Sequence, residues 1–375
     1  MKKMISIVFG TRPELIKLAP VILLARQDDR FDVEVIFTGQ HEELVRDAIE
    51  FFQIKIDHQL KMMKAGQSLN KLLIQGLEQL ENIFNDGQQR DAIIIQGDTT
   101  TVLAAGLVAF SMKIPVAHVE AGLRSFDLDH PFPEEGNRQL VSRITHWHFA
   151  PTAQSRQNLL QEHISDDAIT VTGNTVVDAV YLGHDLILQQ ATQQNYLKLH
   201  GLTFPAHARV ILITAHRREN FGEGIRNICH AVQYLVAKFP DVHFVWPVHL
   251  NPAVHDVVHS QFAQDAQVHL VKPLDYPSLL AVIDRATFIL TDSGGLQEES
   301  PSFNKPVLIL RDTTERPEVV QVGAGILVGT DREKIIAESE KLLSDLQHYN
   351  LMANAENPFG DGKASLRILD KIFED

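Results

Sequence analysis

Short apolar runs alternate with amphipathic stretches from one end of this chain to the other. Six lie in the first half, ISIVFG, VEVIFTG, AIIIQGD, PVAHVE, HWHFAP and AITVTGN, and six in the second, RVILITAH, VHFVWPVH, VHLVKP, FILTDSG, PVLILRD and GILVG. Strands apolar on both faces, separated by amphipathic segments, are what a parallel sheet requires, because its crossover helices cover both sides. The pattern predicts an α/β chain. At 375 residues it exceeds the length one core usually serves, and an apolar fraction of 44% can fill two. The expectation is two doubly wound Rossmann-like domains in tandem, over residues 1–185 and 205–360, with a ligand cleft between them. The polar stretch ATQQNYLKLHGLTFPAHA reads as the connector, and residues 362–375 as a closing helix.

Charge narrows the partners. With 34 Lys and Arg against 48 Asp and Glu, the net charge of −14 repels nucleic acid and anionic membrane surfaces, so an anionic ligand has to meet a local basic cluster. No apolar run approaches the ~18 residues of a membrane span. The single cysteine, Cys229, rules out an intramolecular disulfide framework and reads as a small buried apolar residue in a cytoplasmic protein.

Polar motifs gather where strands end and helices begin, the edge at which open parallel sheets bind ligands. In FGTRPELIKLAP, Gly10 ends a strand, Pro13 suits a first helical turn, and Arg12 and Lys17 stand beside backbone N–H groups able to hold a diphosphate. Alternatively, Glu14 pairs with Lys17 along a solvated helix face. The segment lacks GxGxxG, so a nicotinamide cofactor has no support. In TDSGGLQEES, Ser293, Gly294 and Gly295 allow a ligand close to the backbone, with Glu298 and Glu299 placed to accept ribose hydroxyls. RDTTERPE sets Arg311 and Arg316 among Glu315 and Glu318. Asp98 follows an apolar strand, as a base or as a helix cap, and His216, Arg217 and Arg218 suit a leaving phosphate. The loop after PVAHVE crowds Glu120, Arg124, Asp127, Asp129, Glu134, Glu135 and Arg138 together; Glu120 can also be an ion pair of Arg124, and Glu134 a helix N-terminal charge. Neither His255 with His259 nor His146 with His148 has a carboxylate in a metal-ligand pattern, so no metal is expected.

In order along the chain, GTRPE, GDTTT, HVEAGLR, PEEGNR, TGN, AHRREN, PVHLNP, DSGGLQEE, RDTTERPE and NPFGDG resemble the non-hydrolysing UDP-N-acetylglucosamine 2-epimerase family. The resemblance implies a glycosyltransferase type B fold, a homodimer, no metal or redox cofactor, and interconversion of UDP-N-acetylglucosamine with UDP-N-acetylmannosamine for surface polysaccharide. A modified UDP-2-acetamido sugar, or hydrolysis to UDP and free N-acetylmannosamine, are the alternative reactions. By the same resemblance Asp98, Glu120 and Glu134 are catalytic acids with His216 near the diphosphate. Arg12, Lys17, Ser293, Gly294, Gly295, Glu299 and Arg316 contact substrate. Which carboxylate takes the C2 proton stays open.

Some family members hold a second UDP-N-acetylglucosamine as activator, using two glutamines, an arginine and residues matching Glu134, Arg217 and His249. Here Gln40 is present, but Glu43 and Gly66 stand at the second glutamine and the arginine positions. Losing a cation and gaining an anion beside a diphosphate predicts a weakened activator site. Leu274 likewise stands where the family often has glutamine.

Overall fold

The computed structural model describes residues 2–40, 42–64, 66–190 and 193–374, and the side chains of residues 42–44 and 190 lie outside the description. It divides into two compact units, Met1–Leu182 with Phe359–Asp375, and Gly183–Pro358.

The first unit is built on strands β1 (Lys3–Phe9), β2 (Phe31–Phe37), β3 (His58–Gln59), β4 (Ala92–Gln96), β5 (Val116–Val119), β6 (Trp147–Ala150) and β7 (Ile169–Val171). Helices α1 (Arg12–Gln27), α2 (Glu42–Phe51), α3 (Leu69–Phe84), α4 (Thr100–Ser111), α5 (Glu134–Ser142) and α6 (Ala153–Gln161) follow the strands in turn, and α7 (Thr175–Gln190) begins in this unit and runs on past its boundary at Leu182. The sheet order is β3-β2-β1-β4-β5-β6-β7, with every pairing parallel; Ile5 aligns with Val33 on one side and Ala92 on the other. Ile93, Ile94 and Ile95 are completely buried, as a strand covered on both faces demands. β3 has no counterpart among the expected strands. It is two polar residues long and is defined by its pairing with Ile36 and Phe37, so no apolar run announces it.

The second unit has β8 (Arg209–Thr214), β9 (Val242–Pro247), β10 (Val268–Val271), β11 (Phe288–Thr291), β12 (Val307–Ile309) and β13 (Gly325–Leu327). Its helices are α8 (Gln193–Leu199), α9 (Glu223–Lys238), α10 (Pro252–Phe262), α11 (Tyr276–Arg285), α12 (Gly294–Glu299), α13 (Pro317–Gln321), α14 (Arg332–Ser344) and α15 (Leu346–Ala353). The sheet order β10-β9-β8-β11-β12-β13 is again all parallel. Its core centres on buried Phe244, Trp246 and Phe262, with Cys229 buried and its thiol pushed up to about 12 by that burial.

From Gln193 onward the expected connector is structured. α8 packs on α11: Gln193 donates to the Ala281 carbonyl and to Asp284, His200 and Ser278 are hydrogen-bonded, and Leu197 and Leu202 are buried. Two leucines carry the burial, which is why the stretch reads as polar.

The last helix, α16 (Ala364–Glu374), returns to the first unit and packs on α1. Asp178 accepts from the Ala364 and Ser365 amides at its start, and Ile368, Leu369 and Ile372 are buried. Each sheet reverses its strand order once, between β1 and β4 and between β8 and β11. Loops diverge to opposite faces there and leave a crevice at the carboxyl ends of the strands.

Candidate active site

In the first unit the crevice is framed by the turns after β1, β4 and β5 and by the start of α5. Asp98 accepts from Arg138 through Nε at 2.8 Å and lies 2.7 Å from Nη2, while the third guanidinium nitrogen reaches Glu135 at 3.0 Å. Glu135 is fully buried and also receives the Ser125 and Phe126 amides and Gln139. Burial alone would raise its pKa; those hydrogen bonds with Arg138 and Arg124 outweigh it and hold the carboxyl low. The crowded loop thus divides its labour: Glu135 pins the chain, and Glu134 lines a cavity of about 390 Å³ together with Thr11, Arg12, Gln40, Thr99 and Asn137.

Glu120 ends β5 in the left-handed region at φ 67°, a conformation costly for a residue with a Cβ and characteristic of held functional positions. Its carboxylate receives Lys17 at 2.6 Å and a short hydrogen bond from Gln96. Lys17 is therefore paired with Glu120, and neither of the local pairings considered for this region forms. Arg124 is turned away, bound by Glu162 and Ser142, and Glu14 is engaged elsewhere.

Glu14 corrects a further expectation. The Gly10 and Thr11 amides, expected to be open for a phosphate, both donate to Glu14 Oε2, at 2.9 and 2.7 Å, and the Thr11 hydroxyl donates to the same oxygen at 2.8 Å. The side chain of Glu14 itself fills the anion position at the α1 N-terminus. Burial lifts its pKa to about 7 against the lowering effect of its hydrogen bonds. His118, buried on β5, bonds through Nε2 to the Gly97 carbonyl at 2.7 Å, which fixes its proton on that nitrogen; burial holds its pKa down at about 4.

In the second unit Asp292 is the organising group, fully buried one residue beyond β11. One oxygen accepts the His216 and Arg217 amides at 2.8 Å and Asn220 Nδ2 at 3.0 Å. The other lies 3.2 Å from His216 Nδ1. The His216 ring stacks on His249 with centroids 5.9 Å apart. Partial burial, with Arg217 and His249 nearby, keeps His216 below the ordinary histidine range although Asp292 works in the other direction.

Ser293 is the N-cap of α12 and its side chain makes no cap bond; Gly294 is buried and Gly295 exposed. The Arg316 guanidinium lies over Gly294, where a Cβ would stand in van der Waals contact, 3.4 Å from Cζ. Arg316 donates to buried Glu298 at 2.7 Å and to Glu315 at 3.3 Å. Burial would raise the Glu315 carboxyl, but the guanidiniums of Arg316, Arg311 and Arg217 prevail and keep it low. Glu299 is buried in α12. Gln40 is drawn onto α4, accepting from the Thr101 amide and hydroxyl. Glu43 lies outside the described side chains, Gly66 is exposed, and Leu274 is buried.

Each sheet thus carries one group of sequence-predicted residues: Arg12, Lys17, Asp98, Glu120 and Glu134 in the first unit, His216, Ser293, Gly294, Gly295, Glu299 and Arg316 in the second. Asp292 and Asn137, which the structure sets against these residues, were not singled out in the sequence, Glu14 was read only as a local ion-pair partner, and Arg138 only as one charge of the crowded loop. Asp292 had a signal, since it follows an apolar strand just as Asp98 does.

The sequence profile described as UDP-N-acetylglucosamine 2-epimerase matches residues 24–373. A Salmonella typhimurium protein named UDP-N-acetylglucosamine 2-epimerase is 45% identical over 365 residues, 97% of each chain. A Bacillus subtilis protein of the same name is 44% identical over 374 residues, spanning 100% of this chain and 96% of its own. The crystal structure of UDP-GlcNAc 2-epimerase from Neisseria meningitidis bound to UDP-GlcNAc shares the fold at a TM-score of 0.90 and 43% identity, covering 99% of this chain and 100% of that one. With sequence and fold agreeing over nearly the whole length, the chain belongs to the UDP-N-acetylglucosamine 2-epimerase family.

Proposed function

We propose that this protein reversibly inverts C2 of UDP-N-acetylglucosamine, giving UDP-N-acetylmannosamine without hydrolysis and without a metal or redox cofactor. The C2 proton of such a sugar is not acidic, so a base alone does not suffice. As the C1–O bond breaks, its electron pair leaves with UDP and positive character at C1 acidifies the neighbouring C–H. A carboxylate takes the C2 proton, the C–H pair forms the C1=C2 bond, and a 2-acetamidoglucal results. Return of a proton to the opposite face of C2 with attack of the UDP oxygen on C1 completes the inversion.

The observation that carries this reading is the chemistry each unit holds: carboxylates Asp98, Glu120 and Glu134 in the first, and in the second His216 and Arg316 with the start of α12, groups suited to a diphosphate. Asp98, Glu120 and Glu134 serve the two faces of the sugar, since elimination and re-addition each need a proton-handling group. Ser293, Gly294, Gly295, Arg12 and Arg316 hold the nucleotide, Glu299 its ribose, and His216 the departing diphosphate. Lys17 sets Glu120. Family resemblance further supports a cytoplasmic homodimer that supplies N-acetylmannosamine-type sugars to surface polysaccharide.

Chromatographic time courses from UDP-N-acetylglucosamine test the reaction. Two nucleotide sugars approaching a constant ratio with only traces of UDP is the expected result. UDP rising in step with free N-acetylmannosamine would replace it with the hydrolysing reaction.

A further inference from the structure

The turn that presents Asp98 is tied at three consecutive residues to three different elements. The Gly97 carbonyl is bound by His118 of β5 at 2.7 Å, the Asp98 carbonyl by Asn137 of α5 at 2.8 Å, and the Thr99 hydroxyl donates to Glu14 of α1 at 2.7 Å. Glu14 is 2% exposed and has no part in the chemistry set out above. Its two oxygens are used differently. Oε2 takes the three donors of the β1–α1 turn, which completes a capping box with Thr11. Oε1 reaches Thr99, 85 residues further along the chain, in the turn of the neighbouring strand.

A helix cap needs only the first set of bonds. The second spans the two strands at which the sheet order reverses, and it ends one residue from the Asp98 carboxylate. Aspartate, one methylene shorter, could keep the cap but not the reach to Thr99. Glutamine keeps the length, with its oxygen for the amides and its NH₂ facing a hydroxyl that can accept as well as donate. A carboxyl that titrates near neutrality is already partly in the neutral form that glutamine imitates.

We propose that Glu14 is a positioning residue for Asp98: through Thr99 it fixes the β4–α4 turn and thereby the place from which the Asp98 carboxylate meets the sugar. The inference rests on the reading of Asp98 as a catalytic carboxylate. Holding a proton-transfer group within a fraction of an ångström matters because a displacement of about 1 Å costs about 10²-fold in rate.

The test compares wild type with Glu14→Asp, Glu14→Gln, Thr99→Val, Thr99→Asp and Thr99→Ser, each checked for folding by circular dichroism and melting. The readouts are kcat and KM for UDP-N-acetylglucosamine and the rate of C2 deuterium entry from D₂O. Glu14→Asp and Thr99→Val are expected to lose about 10²-fold in kcat and in deuterium entry, with KM within about threefold of wild type. Glu14→Gln and Thr99→Ser are expected to recover most of the rate. Should Glu14→Asp fold poorly, Thr99→Val and Thr99→Asp decide together: the first leaves the whole Glu14 cap in place but also removes the oxygen that caps the Val102 amide of α4, and the second keeps such an oxygen while losing the proton given to Glu14, so both are expected to lose the rate. Folded Glu14→Asp and Thr99→Val proteins with wild-type kcat, or with KM alone changed, overturn the inference while the proposed reaction stands. An inactive wild type overturns both.

Discussion

Lys17 on the second turn of α1 holds Glu120 at the end of β5, Nζ to Oε1 2.6 Å, with their side chains only 12% and 6% exposed. The pair ties α1 to the turn after β5 at the crevice of the first unit and steadies a residue whose backbone sits at φ 67°. Lys17→Met withdraws the cation from a buried carboxylate, which costs roughly 3–5 kcal/mol when such a pair is broken. The expected result is a lower melting temperature together with a kcat reduced by about 10²-fold or more. A variant that melts lower but keeps its kcat would confine the pair to stability.

Asp292 organises the second unit in the same sense. Asp292→Ala leaves the His216 and Arg217 amides and the Asn220 side chain without their shared acceptor. Each stranded donor costs about 1–3 kcal/mol where water does not reach it. Calorimetric titration should show UDP binding weakened by about 10²-fold. Unchanged UDP affinity would show that the turn carrying His216 does not contact the nucleotide.

Acid sensitivity follows from buried histidines of the first unit. Burial holds His118 at about 4 and His148 at about 3, with Arg124 and Arg143 adding to the effect on His148. As the pH falls below about 6.5 the unfolded chain protonates these rings and the folded chain does not, so each costs about 1.4 kcal/mol per pH unit until its folded value is reached. Glu14 acts in the opposite direction. Its folded value of about 7 lies above the unfolded 4.5, so between these values the folded state binds the extra proton and gains stability as the pH falls. The two histidines outweigh the one glutamate, and these groups together destabilise the unit by about 1.4 kcal/mol per pH unit between about pH 6 and 4.5. His148→Gln should flatten the fall in melting temperature between about pH 7 and pH 5. An unchanged slope would contradict the assignment.

The activator position offers a comparison of a different kind. Gly66 has open space around it and a φ of 72°, and Gln40 is already engaged by Thr101. With no arginine there, UDP-N-acetylmannosamine alone should be consumed at once, with little acceleration by added UDP-N-acetylglucosamine. Installing Gly66→Arg with Glu43→Gln should make the rate depend more strongly on the second nucleotide sugar, because a cation is gained and an anion lost at the positions the family resemblance sets beside its diphosphate. A wild-type rate that stays negligible until UDP-N-acetylglucosamine is added would contradict this.

The strands were legible because burial on both faces of a parallel sheet leaves runs such as AIIIQ and RVILIT with little polar interruption. β3 and α8 were not, since one is defined by backbone pairing with β2 and the other buries only Leu197 in a polar stretch. Residues at strand ends, Asp98, Glu120 and His216 among them, could be singled out because their place in the fold follows from the strands. Their partners could not. Glu14 lies three residues from Lys17 and bonds instead to Thr99, while Lys17 reaches 103 residues to Glu120, and only the sheet order brings those positions together.

The proposed reaction cleaves the C2–H bond and keeps the nucleotide on the sugar product. A proton NMR time course of UDP-N-acetylglucosamine in D₂O with the wild-type protein follows both. Deuterium entering C2 as a UDP-N-acetylmannosamine anomeric signal grows is the predicted result. A UDP-N-acetylmannosamine signal that grows with protium retained at C2, or a spectrum that does not change at all, would contradict it.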